Sequence, residues 1–123
     1  MNGTQRLADF EQCACDDALL QQVSALQVLC LAACQHAGVT VVAHTFYQFP
    51  EGGATGAVVL AESHLAVHTW PELRAVTLDI YLCNYRQDNS ARVQMLYEFL
   101  YAAFKPQCVA TQKILRGALA SSQ

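Results

Sequence analysis

Between Val39 and Cys83 the chain carries four strand-like runs in succession, and this feature constrains the fold most. Ala75 to Cys83 is the clearest. Val76, Leu78, Ile80 and Leu82 alternate with Thr77, Asp79, Tyr81 and Cys83, the period of a strand buried on one face. Val39 to Phe46 is rich in β-branched and aromatic residues, and Thr55 to Ala61 reads as the next strand. Leu65 to Thr69 follows and is stopped by Pro71, which has no N–H for a ladder. Pro50-Glu51-Gly52-Gly53-Ala54 is a turn or loop by composition.

Helical patterns flank these strands. Asp16 and Asp17 suit a helix N-terminus. Leu19, Val23, Leu26, Cys30, Ala33 and Ala37 recur at steps of three and four, which predicts one helix to about His36, ended by Gly38. Ser90 is the expected cap of a second helix, whose apolar face is Val93, Leu96, Tyr97, Leu100 and Phe104. Arg6 to Gln12 predicts a first strand, Cys108 to Gln112 a last edge strand, and residues 118–123 a frayed tail. Helices flanking consecutive strands indicate an α+β fold: a two-layer α/β sandwich with a mainly antiparallel sheet and helices on one face. The 123 residues are enough for one domain, 1–123.

Hydrophobic residues make up 54% of the chain and charged residues 14%. Ordinary domains carry about 25% charged residues, so an apolar patch is expected to remain and to be covered by a second copy in a twofold dimer. The net charge of −3 argues against a nucleic-acid partner, which needs a basic stripe. No apolar run approaches the ~20 residues of a membrane span. The N-terminal residues lack a secretory layout, so the expected location is cytoplasmic, with the six cysteines mostly reduced.

The chemistry-bearing segment is Ala61-Glu62-Ser63-His64-Leu65-Ala66-Val67-His68-Thr69-Trp70-Pro71-Glu72, followed by Cys83. An isolated Glu-Ser pair is an ordinary turn, but here a histidine and a thiol accompany it. A serine hydroxyl can attack the preceding carbonyl where the peptide is strained or polarised. The amide then becomes an ester, β-elimination cuts it, and the new N-terminal residue becomes a pyruvoyl group. Elimination needs a base at the Ser63 α-proton, and neutral histidine suits that near pH 7. His68 is the candidate, with His64 as competitor. Regular alternation puts His64, Ala66 and His68 on one face and Ser63 on the other, so His68 needs a sharp backbone bend at Ser63. Cys83 is either a buried small hydrophobe or a proton donor, since an unperturbed thiol is protonated at neutral pH.

A structural zinc site is the other use of six Cys and four His. Cys13-Ala14-Cys15 has the wrong gap and Cys30 to Cys34 is helical spacing, so no metal is expected. Cys30, Cys34 and Cys108 are expected in the core. A redox pair at Cys13 and Cys15 stays open.

Residues Ala61 to Glu72, with Cys83 and the upstream Thr45-Phe46, Phe49 and Gly56, resemble the prokaryotic S-adenosylmethionine decarboxylase family, whose proenzymes carry a Glu-Ser-His-x-x-x-His-Thr-x-Pro-Glu core. The resemblance implies a two-layer fold that dimerises and a self-cleavage bond at Glu62–Ser63. Cleavage would give a β chain of 1–62 and an α chain of 63–123 beginning with a pyruvoyl cofactor. It implies His68 as processing base, Thr55 as a hydroxyl that assists processing, and Cys83 as the catalytic acid. It implies Phe49 stacking on adenine and Glu72 holding the ribose hydroxyls. The substrate amine would form a Schiff base with the pyruvoyl group. The product would be decarboxylated S-adenosylmethionine, the aminopropyl donor for spermidine.

The sequence also departs from that pattern. Thr4 to Cys13 has no glycine–histidine pair, and Asn84 stands where glycine is usual. Glu51 adds an acid beside Phe49. Relatives of the family decarboxylate ornithine or arginine, and Glu51, Asp9 or Glu11 could hold such a cationic side chain. A dimeric relative that never processes is the third alternative.

Overall fold

The computed structural model describes residues 2–84 and 87–117. The order is β1 (Gly3–Glu11), α1 (Asp17–Gln21), α2 (Val23–Ala37), β2 (Val41–Gln48), β3 (Ala54–Leu60), β4 (Ser63–Trp70), a 3-10 turn at Pro71–Leu73, β5 (Ala75–Cys83), α3 (Ser90–Phe104) and β6 (Cys108–Arg116). The strands form one six-stranded sheet in the order β2-β3-β4-β5-β1-β6. Every pairing is antiparallel, and for β2 to β5 this follows from connections between consecutive strands that are too short for a crossover.

Alternation divides the residues between the two faces. Phe10, Ala8, Val58, Leu65, Val67, Val76, Leu78, Ile80 and Leu82 are buried beneath the helices. Leu26, Cys30, Ala33, Cys34, Val93, Leu96, Leu100 and Phe104 close that core from the helix layer. Phe10 sits at its centre, with ring centroids 5.9 Å from Tyr97, 5.8 Å from Tyr101 and 6.3 Å from Phe104. Among the described residues the opposite face carries no helix. Its cross-strand rows read Tyr47–Thr55–His68–Thr77–Asp9–Ala110 and Ala43–Val59–His64–Tyr81–Gln5–Ile114. Tyr47, Val59, Trp70 and Ile114 remain exposed there. These apolar side chains stand among the polar Thr55, His64, His68, Thr77 and Asp9 of the same face.

Several boundaries differ from the sequence reading. The single long helix is two, broken at Gln22, where the backbone turns extended at φ −113 and ψ 125. The cause is Gln48 on β2. Its Oε1 accepts from the Val23 N–H at 2.7 Å, and its Nε2 donates to the Gln21 carbonyl at 2.8 Å. Gly38 ends α2 in the left-handed conformation at φ 75, as its sequence position predicts. The cap of α3 is Asn89 rather than Ser90, which is the first helical residue. The last strand runs past Gln112 to Arg116, and Cys108 at its start is exposed rather than in the core. The expected frayed tail lies outside the described residues. Among them, no helix is long and apolar enough to cross a membrane.

Candidate active site

The β3–β4 connection is a tight turn at Ala61 and Glu62, so Ser63 begins β4 directly after Glu62. Ser63 has φ 150, a value outside the regions that L-residues ordinarily adopt. The pairing register runs unbroken from Ser63 to His68, so this unusual φ does not bend β4 back to bring His68 to Ser63. Ser63 pairs with Leu60 and Leu82 and is half-buried.

The carbonyl of Glu62 is the group that Ser63 would attack. It accepts from the backbone N–H of Cys83 at 2.8 Å. This bond polarises the carbonyl and would stabilise negative charge on its oxygen, as an oxyanion donor does. The Cys83 side chain, half-buried, follows Thr77, Asp79 and Tyr81 onto the open face of the sheet. Gly3 pairs with Cys83, and a Cβ at Gly3 would lie 2.7 Å from the Leu82 carbonyl oxygen and 3.0 Å from the Cys83 Cα. Only glycine fits there, a requirement that the sequence reading missed. The Glu62 carboxylate is partly buried, and its Oε1 has no hydrogen-bond partner among the described residues.

His68 and Thr55 face each other across β3 and β4, and a hydrogen bond joins Thr55 Oγ1 to His68 Nδ1. The contact orients the ring and leaves Nε2 for other chemistry. Trp70 flanks it, with ring centroids 6.0 Å apart. His68 lies five residues along β4 from Ser63, roughly 16 Å at about 3.3 Å per residue. One chain therefore does not bring its own His68 to its own Ser63.

Thr55 and His68 instead open onto a cavity of about 470 Å³ lined also by Phe49, Glu51, Trp70 and Glu72. All three sequence-predicted binding residues share this cavity. Its two carboxylates, with no Lys or Arg among the lining residues, make it suited to a cation. Gln48 holds its rim: Nε2 donates to the Phe49 carbonyl at 3.1 Å and the Gly53 carbonyl at 2.9 Å. A second cavity of about 450 Å³ lies on the other side of His68, lined by Asp9, Thr77, Asp79 and Gln112. Ser63 and Cys83 line neither. His64, the competing base, lies 3.5 Å from Asp79 and tilts against Tyr81.

The sequence model of the S-adenosylmethionine decarboxylase family matches residues 4–117. The chain belongs to the S-adenosylmethionine decarboxylase family. It is 36% identical to the S-adenosylmethionine decarboxylase proenzyme of Thermoplasma volcanium, over 98% of this chain and 88% of that protein. It is also 36% identical to the proenzyme of Acidithiobacillus ferrooxidans, over 94% of this chain and 82% of that protein. The fold matches the crystal structure of the adenosylmethionine decarboxylase from Aquifex aeolicus with a TM-score of 0.85 and 30% identity, covering 94% of this chain and 90% of that one.

Proposed function

We propose that this protein cleaves itself between Glu62 and Ser63 and then decarboxylates S-adenosylmethionine. The observation carrying this reading is the Cys83 N–H on the Glu62 carbonyl, beside a Ser63 backbone at φ 150. Strain and a fixed donor both favour attack of the Ser63 hydroxyl on that carbonyl. The peptide nitrogen leaves carbon and an ester forms. A base removes the Ser63 α-proton, residue 62 departs with a free α-carboxylate, and the dehydroalanine left at position 63 tautomerises to an imine that water hydrolyses, releasing ammonia and leaving a pyruvoyl group. The single domain thus becomes chains 1–62 and 63–123.

The base is His68, held by Thr55. Because it lies roughly 16 Å along the strand from its own Ser63, it acts on Ser63 of a second copy. The protein is accordingly a homodimer built on the uncovered sheet face, each site combining Ser63 and Cys83 of one copy with Thr55, His68 and the cavity of the other. The exposed Tyr47, Val59, Trp70 and Ile114 on that face support the pairing.

The residues around Ser63 fit the group that cleavage would leave there. That carbonyl would supply an electron sink for a departing carboxylate. Phe49 offers its ring to adenine, Glu72 accepts from the ribose hydroxyls, and Glu51 with Glu72 attracts the positively charged substrate. Cys83 delivers a proton to the substrate carbon from the open face. The names of the relatives support S-adenosylmethionine over ornithine or arginine. Release of carbon dioxide from each of these three compounds tests the choice. We expect turnover of S-adenosylmethionine alone; turnover of ornithine or arginine without it would refute the substrate.

A further inference from the structure

Asn89 is 1% exposed, yet it is a polar side chain at a helix terminus. Both the nitrogen and the oxygen of its side-chain amide are hydrogen-bonded. Its Nδ2 donates to the Cys83 carbonyl at 2.8 Å, and its Oδ1 accepts from Arg92 Nη1 at 3.0 Å. Its own backbone N–H donates to Asn84 Oδ1 at 2.8 Å. Asn84 is tied in turn to the strand beside Cys83: its N–H donates to the Asn2 carbonyl at 2.7 Å, and its Nδ2 donates to Asn2 Oδ1 at 3.1 Å. The Asn89 carbonyl accepts from the first-turn N–H groups of Arg92 at 3.0 Å and Val93 at 3.1 Å.

Helix capping explains only part of this arrangement. The β4–β5 ladder ends at the Ser63–Leu82 pair, so Cys83 lies just beyond it. Its N–H is spent on Glu62 and its carbonyl on Asn89. Fixing both peptide groups of one residue fixes its φ and ψ. That sets two things at once: the aim of its N–H at the carbonyl to be attacked, and the direction of its thiol.

We propose that Asn89, braced by Asn84, is a positioning residue for self-cleavage, holding Cys83 so that its N–H stays on the Glu62 carbonyl. The proposal rests on the self-cleavage reading. Asn89→Asp separates this role from capping, because it keeps the shape, the cap and the Arg92 contact but removes the donor to Cys83. Asn84→Ala acts from the half-buried rim of the cluster and removes the brace.

The test follows conversion of newly translated full-length chain to two fragments on a denaturing gel. The expected cleavage half-time is at least about tenfold longer for Asn89→Asp, since loss of one oxyanion donor outright costs about a hundredfold or more. For Asn84→Ala it is at least about threefold longer, the brace being one step removed. Asn89→Asp melts lower than the parent, because a buried carboxylate oxygen then faces the Cys83 carbonyl, so half-times are compared well below each variant's melting transition. In cleaved Asn89→Asp material kcat falls while KM stays within about twofold, because the Phe49 cavity belongs to other elements. A parental half-time in either folded variant overturns the proposal, and so does a rise in KM matching the fall in kcat. A parent chain that stays whole refutes the self-cleavage reading itself.

Discussion

The backbone N–H of Cys83 lies 2.8 Å from the Glu62 carbonyl oxygen and donates to it. In the proposed mechanism this one residue serves two reactions with two different groups, its peptide N–H in cleavage and its thiol in decarboxylation. Cys83→Ala keeps the first and deletes the second. We expect this variant still to yield two fragments, within about tenfold of the parental rate, while turnover falls by at least about a hundredfold. A variant that remains whole would show that the thiol, rather than the peptide, drives cleavage.

Ser63 and His68 stand roughly 16 Å apart on one strand, which makes complementation a direct test of the composite site. Ser63→Ala and His68→Ala chains should each stay whole when expressed alone. Expressed together they form mixed dimers, in which His68 of the first variant faces Ser63 of the second. Only the His68→Ala chain should then be cut. Cutting of neither chain would place Ser63 and His68 of a single copy in one site.

Gln48 holds the carbonyls of Phe49 and Gly53 at the rim of the cavity, and its side-chain hydrogen bonds go to Val23, Gln21, Phe49 and Gly53 rather than to Ser63 or Cys83. Gln48→Ala should raise KM by about tenfold and leave the cleavage rate within about twofold, as removal of a binding interaction does. Phe49→Ala should act in the same direction. A change in cleavage with KM unchanged would contradict this division of the site.

The strand pattern made most of the fold legible. Ala75 to Cys83 alternates so cleanly that the strand ends where the pattern ends. The break between α1 and α2 was not legible, because the apolar period runs through Gln22 without a glycine or proline. It comes from Gln48, a residue remote in sequence. Asn89 was hidden for a similar reason: Ser90 is an equally good cap by type, and only the Cys83 carbonyl selects its neighbour. The site residues were legible as a set but not as an arrangement. The strand reading of Leu65 to Thr69 already separates Ser63 from His68 along the chain, but local alternation says nothing of which residues meet across the open sheet face.

Burial raises the thiols of the helix layer. Cys30 is pushed up to about 12, with the neighbouring Cys34 adding to the effect, and Cys34 itself is pushed up to about 11. In the unfolded chain both lose their protons nearer the ordinary value of 9.0, so above that pH the unfolded state binds fewer protons. The stability they contribute is complete below about pH 9 and is lost as pH rises toward about 12. The melting temperature should therefore fall across that window, less steeply in Cys30→Ala. A parallel fall in parent and variant would remove Cys30 as a cause.

The conversion of Ser63 can be weighed directly. Intact mass spectrometry of the purified, active protein should give two chains, 1–62 and 63–123, the second blocked and carrying a keto group in place of its amine, with Ser63→Ala giving one unbroken chain. Active protein of undivided mass, or a Ser63→Ala chain cut at the same bond, would contradict the account.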